Sequence, residues 1–372
     1  MKVAGFDFVE IENYIYVASS AFNAICEVNK NTKKVQIIYT DGNKGLAIPA
    51  LWSHIGRINN KIAIAPFVGE QMSIIDRKKH ETIFEMTIVR KENMGIFRQS
   101  IIYENDFYFI GYTYPAILKV NADTFECEYL TQWVTELYPQ GVDVSKGDYY
   151  IADGYVQSGS CFYFPTGKDA KLLKIDCKTD EIQLIEVPCQ CEKFVSIAGT
   201  DEEIWLVDLT DMYESHKVIV WNRITNYLET VELNYKGCWH APIFYNENVY
   251  LFPMNTDGRV LKIHRNTMEV SVFEELDILF RDKYGRIANV MTVKQHDKEV
   301  TFIRRPDYTW FTYNFETGEL KEEIYTIDDC EFVEKYNAEK NSYYDKIYKK
   351  AINVGDAIYE EDIPLKEFFE RI

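Results

Sequence analysis

Three side chains able to move a proton or hold an anion stand at matching places in this 372-residue chain. They are His54 in Trp52-Ser53-His54, Arg98 in Phe97-Arg98-Gln99, and His240 in Trp239-His240. Each lies one or two residues beyond an aromatic ring. Imidazole is the side chain that titrates near neutrality, and a guanidinium fork grips a carboxylate or phosphate through parallel hydrogen bonds. Brought to one place, they would form a cationic, donor-rich cup. His54 or His240 is then the candidate general base, and Arg98 the candidate holder of an anionic group. Gln99 and Gln140 would add polar groups, and Trp52 and Trp239 belong to an aromatic level that serves either blade-to-blade packing or a binding platform. Arg304 and Arg305, directly after an apolar run and before Pro306, would supply two further forks. The candidate ligand-binding set is therefore Trp52, His54, Arg98, Gln99, Gln140, Trp239, His240, Arg304 and Arg305. Lys44, Arg90, Lys91, Lys236 and Arg286 would place more cations on loops of the same side.

These residues share one surface only if the chain repeats, and it does. In YNENVYLFPMNTDGRVLKIHRNTMEVSVFE (245–274), a polar turn precedes an apolar run, and a second run ends in a His-x-x-Thr turn. The turn recurs as Asn29 to Thr32, Asn121 to Thr124, Asp176 to Thr179, Asn222 to Thr225 and Asn314 to Thr317. A further copy, Asp76 to Lys79, lacks the Thr. The apolar run recurs at Ile15, Ile62, Phe107, Tyr149, Ile204, Val249 and Val300. Both series span 285 residues, from Thr32 to Thr317 and from Ile15 to Val300, and two features that keep phase over seven copies mark one repeated unit. An Asn or Asp opening such a turn accepts hydrogen bonds from amides two and three residues on, and the Thr hydroxyl caps the same loop.

Each unit resolves into four strand-like segments, which predicts an all-β, seven-bladed β-propeller of four-stranded antiparallel blades. The blades fall at about 5–45, 46–91, 92–134, 135–190, 191–235, 236–285 and 286–325. The repeated hairpin resembles that of the NHL-like, quinoprotein-like and kelch-like propeller superfamily, over about residues 5–325. The double glycine of kelch repeats is missing, as are the Trp-Asp pairs of WD40 repeats. Ligands of such folds sit at one mouth of the central channel, formed by loops joining the second to the third strand and the fourth strand to the next blade. Aligned on the apolar run, the first strands present Phe6, Ser53, Arg98, Gln140, Val195, His240 and Met291 at one level. The next level holds Asp7, His54, Gln99, Gly141, Ser196, Ala241 and Thr292. The longest insertion, 153–171, reads as a flap over the mouth. Blade 1 owns its first strand and blade 7 its fourth, so the seam between them is expected to rest on apolar packing. Residues 326–372 read as a helical C-terminal extension packed on the propeller through Tyr343, Ile347, Phe368, Phe369 and Ile372, or else as a docking helix for a partner.

A formal charge of −18 disfavours nucleic acid and anionic membrane as partners. The opening MKVAGFDFVEIEN has one lysine and no long apolar core, unlike a secretory signal. The eight cysteines are scattered, as in a cytoplasmic protein with reduced thiols. Cys189-x-Cys191 has no further ligands at zinc-site spacing and reads as two ordinary thiols. Carboxylates, glycines and histidines are not spaced for a metal centre, a phosphate loop or a nucleophile elbow. The reading is a cytoplasmic binding or scaffold protein, without metal or cofactor. Its mouth takes a small polar or anionic ligand, a peptide or a partner enzyme. The alternative is a hydrolase or lyase acting on a carbohydrate or lactone.

Overall fold

The computed structural model describes residues 1–89, 95–143, 148–200, 202–210, 214–255, 257–281 and 288–353, with side chains as far as residue 341. Seven sheets of four antiparallel strands follow one another along the chain, at 5–39, 52–87, 97–130, 156–186, 194–232, 243–272 and 289–323. Within each sheet the spatial order is the chain order. First strands of adjacent sheets touch, as Gly5–Ile11 touches Trp52–Ile58 and Trp52–Ile58 touches Phe97–Tyr103. Fourth strands such as Glu81–Thr87 are mostly exposed. The sheets are therefore blades whose first strands line the axis. The second strands form the core, and Ile62, Phe107, Ile204, Val249 and Val300 are fully buried between blades.

The turns form as their chemistry dictates. Asn29 Oδ1 accepts from the amides of Asn31 (3.0 Å) and Thr32 (2.9 Å), and Asn121, Asn222 and Asn314 repeat the pair of bonds. The residue after each Thr is left-handed: Lys33, Phe125, Asp180, Asn226, Met268 and Gly318, with His80 in the copy that lacks Thr. Only one of the seven is glycine, because the Asx turn over-determines the backbone there.

Each of these hairpins is tied to the turn between the first two strands of its blade by one backbone hydrogen bond. The donors are Lys30, Arg77, Ala122, Cys177, Arg223, Arg265 and Phe315, all at 2.8 or 2.9 Å from their acceptors. Both kinds of turn therefore share one face. The loops from second to third strand and from blade to blade share the other, where the candidate residues were expected.

Two expectations need correction. Residues 153–171 are not a flap, because they supply the first and second strands of blade 4, Val156–Ser158 and Cys161–Pro165. Its apolar run begins near Phe162 rather than Tyr149. The seam, too, is not closed by apolar packing alone. Val3 N donates to Tyr325 O and Ile327 N to Met1 O, each at 2.8 Å, and Trp310 Nε1 donates to Val3 O at 2.9 Å.

The helix Cys330–Asn353 follows that seam. It sets Phe332, Val333 and Tyr336 against the blade 1 core, with Phe22 meeting Phe332 edge-on at 5.9 Å, and its Glu339 carboxylate accepts from Leu46 N. The side chains of Tyr343 and Ile347, and residues Phe368, Phe369 and Ile372, lie outside the described residues. Ending the chain at Asp328 removes three partly buried apolar side chains, each worth about 1.5–3 kcal/mol when fully buried. Ending it at Glu323 also removes the pairing with Met1–Val3. Thermal melting should rank the midpoints full chain, then 1–328, then 1–323. Equal midpoints for all three would contradict this account of the seam.

Candidate functional site

Polar side chains of the first strands form a circuit around the axis, each blade bonding to the next. From blade 1 to 2, Asp7 Oδ2 accepts from Ile55 N at 3.1 Å. From 2 to 3, Ser53 Oγ donates to Phe97 O. From 3 to 4, Gln99 Nε2 donates to Ala152 O at 2.7 Å. From 4 to 5, Asp153 exchanges backbone bonds with Val195 and Ile197, both 3.1 Å. From 5 to 6, Ser196 Oγ donates to Trp239 O at 3.2 Å. From 6 to 7, His240 Nε2 lies 3.1 Å from Val290 O. Lys294 closes the circuit from 7 to 1, donating to Phe8 O at 2.6 Å and pairing with Asp7. Buried polar groups must be bonded to be tolerated, so the polar levels seen in the sequence mostly serve to hold the ring.

Bulges re-aim some of the first-strand side chains. The ladder of the first strand skips Phe6, Ser53, Arg98, Val195 and Met291, in five of the seven blades. A bulge re-aims the extra residue, and in blade 3 that residue is Arg98.

Two charged clusters result, both at the mouth. Asp7 is buried, and its carboxylate meets His54 Nδ1 at 2.6 Å and the Lys294 ammonium. Burial alone would push the Asp7 carboxyl up, but Lys294 and then His54 more than offset it and hold it well below the usual range. In the second cluster, Asp153 Oδ2 lies 3.6 Å from both Arg98 and His240. Burial is again outweighed, by Arg98, His240 and His54, so Asp153 also stays ionised well below the usual range. His54 thus contacts Asp7 and lies within electrostatic reach of Asp153, on which Arg98 and His240 converge. Gly154 sets this carboxylate in place: it is left-handed (φ +79°), and a Cβ there would stand 2.3 Å from Ile197 O.

Half-buried rings surround the charges. Arg98 sits over Tyr112 at 5.0 Å, and Tyr112 stacks on Tyr149 at 5.4 Å. Phe67 bridges Tyr112 and Phe6, and Arg305 lies 5.4 Å over Phe6. Tyr155, exposed at its edge, lies within electrostatic reach of Asp7.

Of the candidates, Arg98 and His240 meet at Asp153 and His54 stands on the neighbouring Asp7, with Arg305 over Phe6, while Gln99 is buried and committed to Ala152 O. Trp52 and Trp239 do not line it. They are buried between blades, the first against Tyr39 and the second with its Nε1 bonded to Arg259 O. Arg304 is held away by Asp307 and Leu279 O. Gln140 is exposed in the long connection between blades 3 and 4, and its place in the ring belongs to the Ala152–Asp153 segment. Lys44 pairs with Glu70 at 3.5 Å. Arg90, Lys91 and Arg286 lie outside the described residues.

Asp153, Lys294 and Tyr112 were missed in the sequence, although a signal for Asp153 was present. In blade 3 the apolar run begins 14 residues before its Asx turn, since 121 − 107 = 14, and in blade 4 the same offset points to Phe162, since 176 − 162 = 14. Taking Tyr149 instead displaced the whole blade. Among the described residues, no three His, Cys, Asp or Glu side chains are arranged to hold a metal ion.

No protein-family model matches the sequence, and no curated protein does. Solved structures do resemble it. The computationally designed Ika8 protein has TM-score 0.56 and 10% identity over 87% of each chain. A chain of the mitotic checkpoint complex has TM-score 0.56 and 11% identity, over 81% of this chain and 86% of that one. The extracellular domain of a putative one-component system from B. thetaiotaomicron has TM-score 0.53 and 7% identity, over 87% of this chain and 38% of that one. The shared feature is the fold. At such identities chemistry does not carry over.

A separate cleft of about 490 Å³ opens between blades 7 and 1 on the turn face. Its Glu10 and Glu323 are already paired with Lys30 and Lys33.

Asp7 gives a pH prediction. Its carboxyl is lower in the folded chain than its unfolded value of about 3.9, so its contribution is complete above that value and is lost as pH falls below it. Asp7→Asn should cost about 3–5 kcal/mol at neutral pH, as for a broken buried pair, and should flatten the loss of stability below about pH 4. Chemical denaturation at several pH values measures both. A cost under about 1 kcal/mol with an unchanged acid limb would contradict the assignment.

Proposed function

We propose that the chain is a binding protein whose channel mouth holds a small ligand through an anionic group, most simply a carboxylate. The observation that carries this reading is Arg98. Its guanidinium is fixed over Tyr112, yet among the described residues it has one carboxylate contact, at 3.6 Å, and so keeps donors to spare. A second carboxylate could take the free edge of the fork, while the partly exposed rings of Phe67 and Tyr155 offer surface to an apolar or sugar-like body. Arg98 beside Asp153 and Arg305 over Phe6 supply guanidinium groups there on a chain of charge −18.

The hydrolase or lyase alternative is not favoured. His240 already meets Val290 O, and the Asp7 beside His54 is shared with Lys294 and Ile55 N. The eight cysteines are all free, and no helix among the described residues is long and apolar enough to cross a membrane.

Thermal shift against mono- and dicarboxylates, uronic acids, neutral sugars and nucleotides tests the reading, since a ligand of the native state raises the midpoint. Carboxylates should stabilise the chain, and Arg98→Gln should weaken them by about 1.5–3 kcal/mol, about ten- to a hundredfold. Stabilisation by cationic or neutral compounds alone, or carboxylate binding that Arg98→Gln leaves intact, would contradict it.

A further inference from the structure

Cys189 and Cys191 lie in the connection between the fourth strand of blade 4, Glu181–Glu186, and the first strand of blade 5, Phe194–Gly199. The chain bends at residues 188 to 190, and Cys189 N donates back to Val187 O at 2.7 Å. Two residues of backbone span at most about 7 Å, and a bend between them shortens that, so the Cα atoms come within the range a disulfide requires. Both side chains pack on one apolar cluster, beside Leu172 and Phe194, and both remain partly open to solvent. Lys217 Nζ donates to Gln190 O at 3.2 Å, which puts a cation next to the residue between the two thiols.

We propose that Cys189 and Cys191 form a thiol–disulfide exchange site, with Cys189 as nucleophile and Cys191 as resolving thiol toward a low-molecular-weight disulfide. The Cys189 thiolate attacks a disulfide RSSR, forming the mixed disulfide Cys189–S–S–R and releasing RS⁻. Cys191 gives its proton to solvent and attacks the Cys189 sulfur, which forms the Cys189–Cys191 bond and expels the second RS⁻. Two protein thiols are oxidised, and RSSR is reduced to two RSH.

The division of roles follows from the surroundings. The nearness of the Cys191 thiol and, after it, of its backbone N–H holds the Cys189 thiol below the ordinary value against the opposing effect of burial, with Lys217 adding to the effect. The same contact and burial push Cys191 up. Elsewhere, burial raises Cys26, Cys177 and Cys238 to about 12 and also raises the more exposed Cys127. Attack falls where thiolate character and access coincide, and Cys189, lowered and partly open to solvent, combines them.

The test uses the full chain and oxidised glutathione at neutral pH, followed by alkylation of the remaining thiols, intact mass and peptide mapping. The wild type should lose two of its eight alkylatable thiols, with the bond mapped between Cys189 and Cys191. Cys191→Ser should accumulate glutathione on Cys189, and Cys189→Ser should leave Cys191 reduced. Glutathione on Cys127 or Cys330 while Cys189 and Cys191 stay alkylatable would overturn the proposal. So would a Cys191→Ser variant without adduct on Cys189.

Discussion

A carboxylate buried without partners costs several kcal/mol, and Asp7 is a buried carboxylate bonded by three successive blades. Lys294 reaches it from blade 7, its own strand belongs to blade 1, and His54 and Ile55 N come from blade 2. A propeller has no covalent closure of its own and must stop its last blade from parting from its first. Here the requirement is met at the axis by a charge that is stable only while the ring is shut. The bonds between Met1–Val3 and Tyr325–Ile327 and the helix over Phe22 reinforce the same seam from outside.

The candidate site follows from that constraint. Six of the seven junctions link backbone to a neutral or charged side chain, and the seventh, at Asp153, uses backbone alone. This leaves the Asp153 carboxylate free to collect Arg98 and His240. The bulge in blade 3 turns Arg98 out of the ladder and into the mouth, where Tyr112 supports it. Residues that hold the ring and residues able to hold a ligand are therefore neighbours in the same strands, separated by one position.

The fold was legible in the sequence because its turn chemistry is local. Asn29, Asn121, Asn222 and Asn314 bond amides two and three residues away, and nothing distant alters that. Which face the first strands point to was legible for the same reason. The site was legible only in part. Trp52 and Trp239 are aromatic because blades must pack, and a sequence pattern does not distinguish a ring facing a neighbouring blade from one facing the channel. Gln140 would share the level of Arg98 only if blade 4 began at Tyr149, but the blade begins late, after a long connection carrying its own apolar residues Tyr149 and Tyr150. Asp153 and Lys294 matter through partners in other blades, which depend on ring closure and on bulges that no local pattern reveals.

The most direct measurement of this account is a double-mutant cycle between Asp7→Asn and Lys294→Met, by chemical denaturation at neutral pH. If the two groups close the ring together, the double variant will be less destabilised than the sum of the single variants. The expected coupling is about 1.5–3 kcal/mol, the range for a charge-assisted bond. Additivity within about 0.5 kcal/mol would mean that the seam does not depend on this pair.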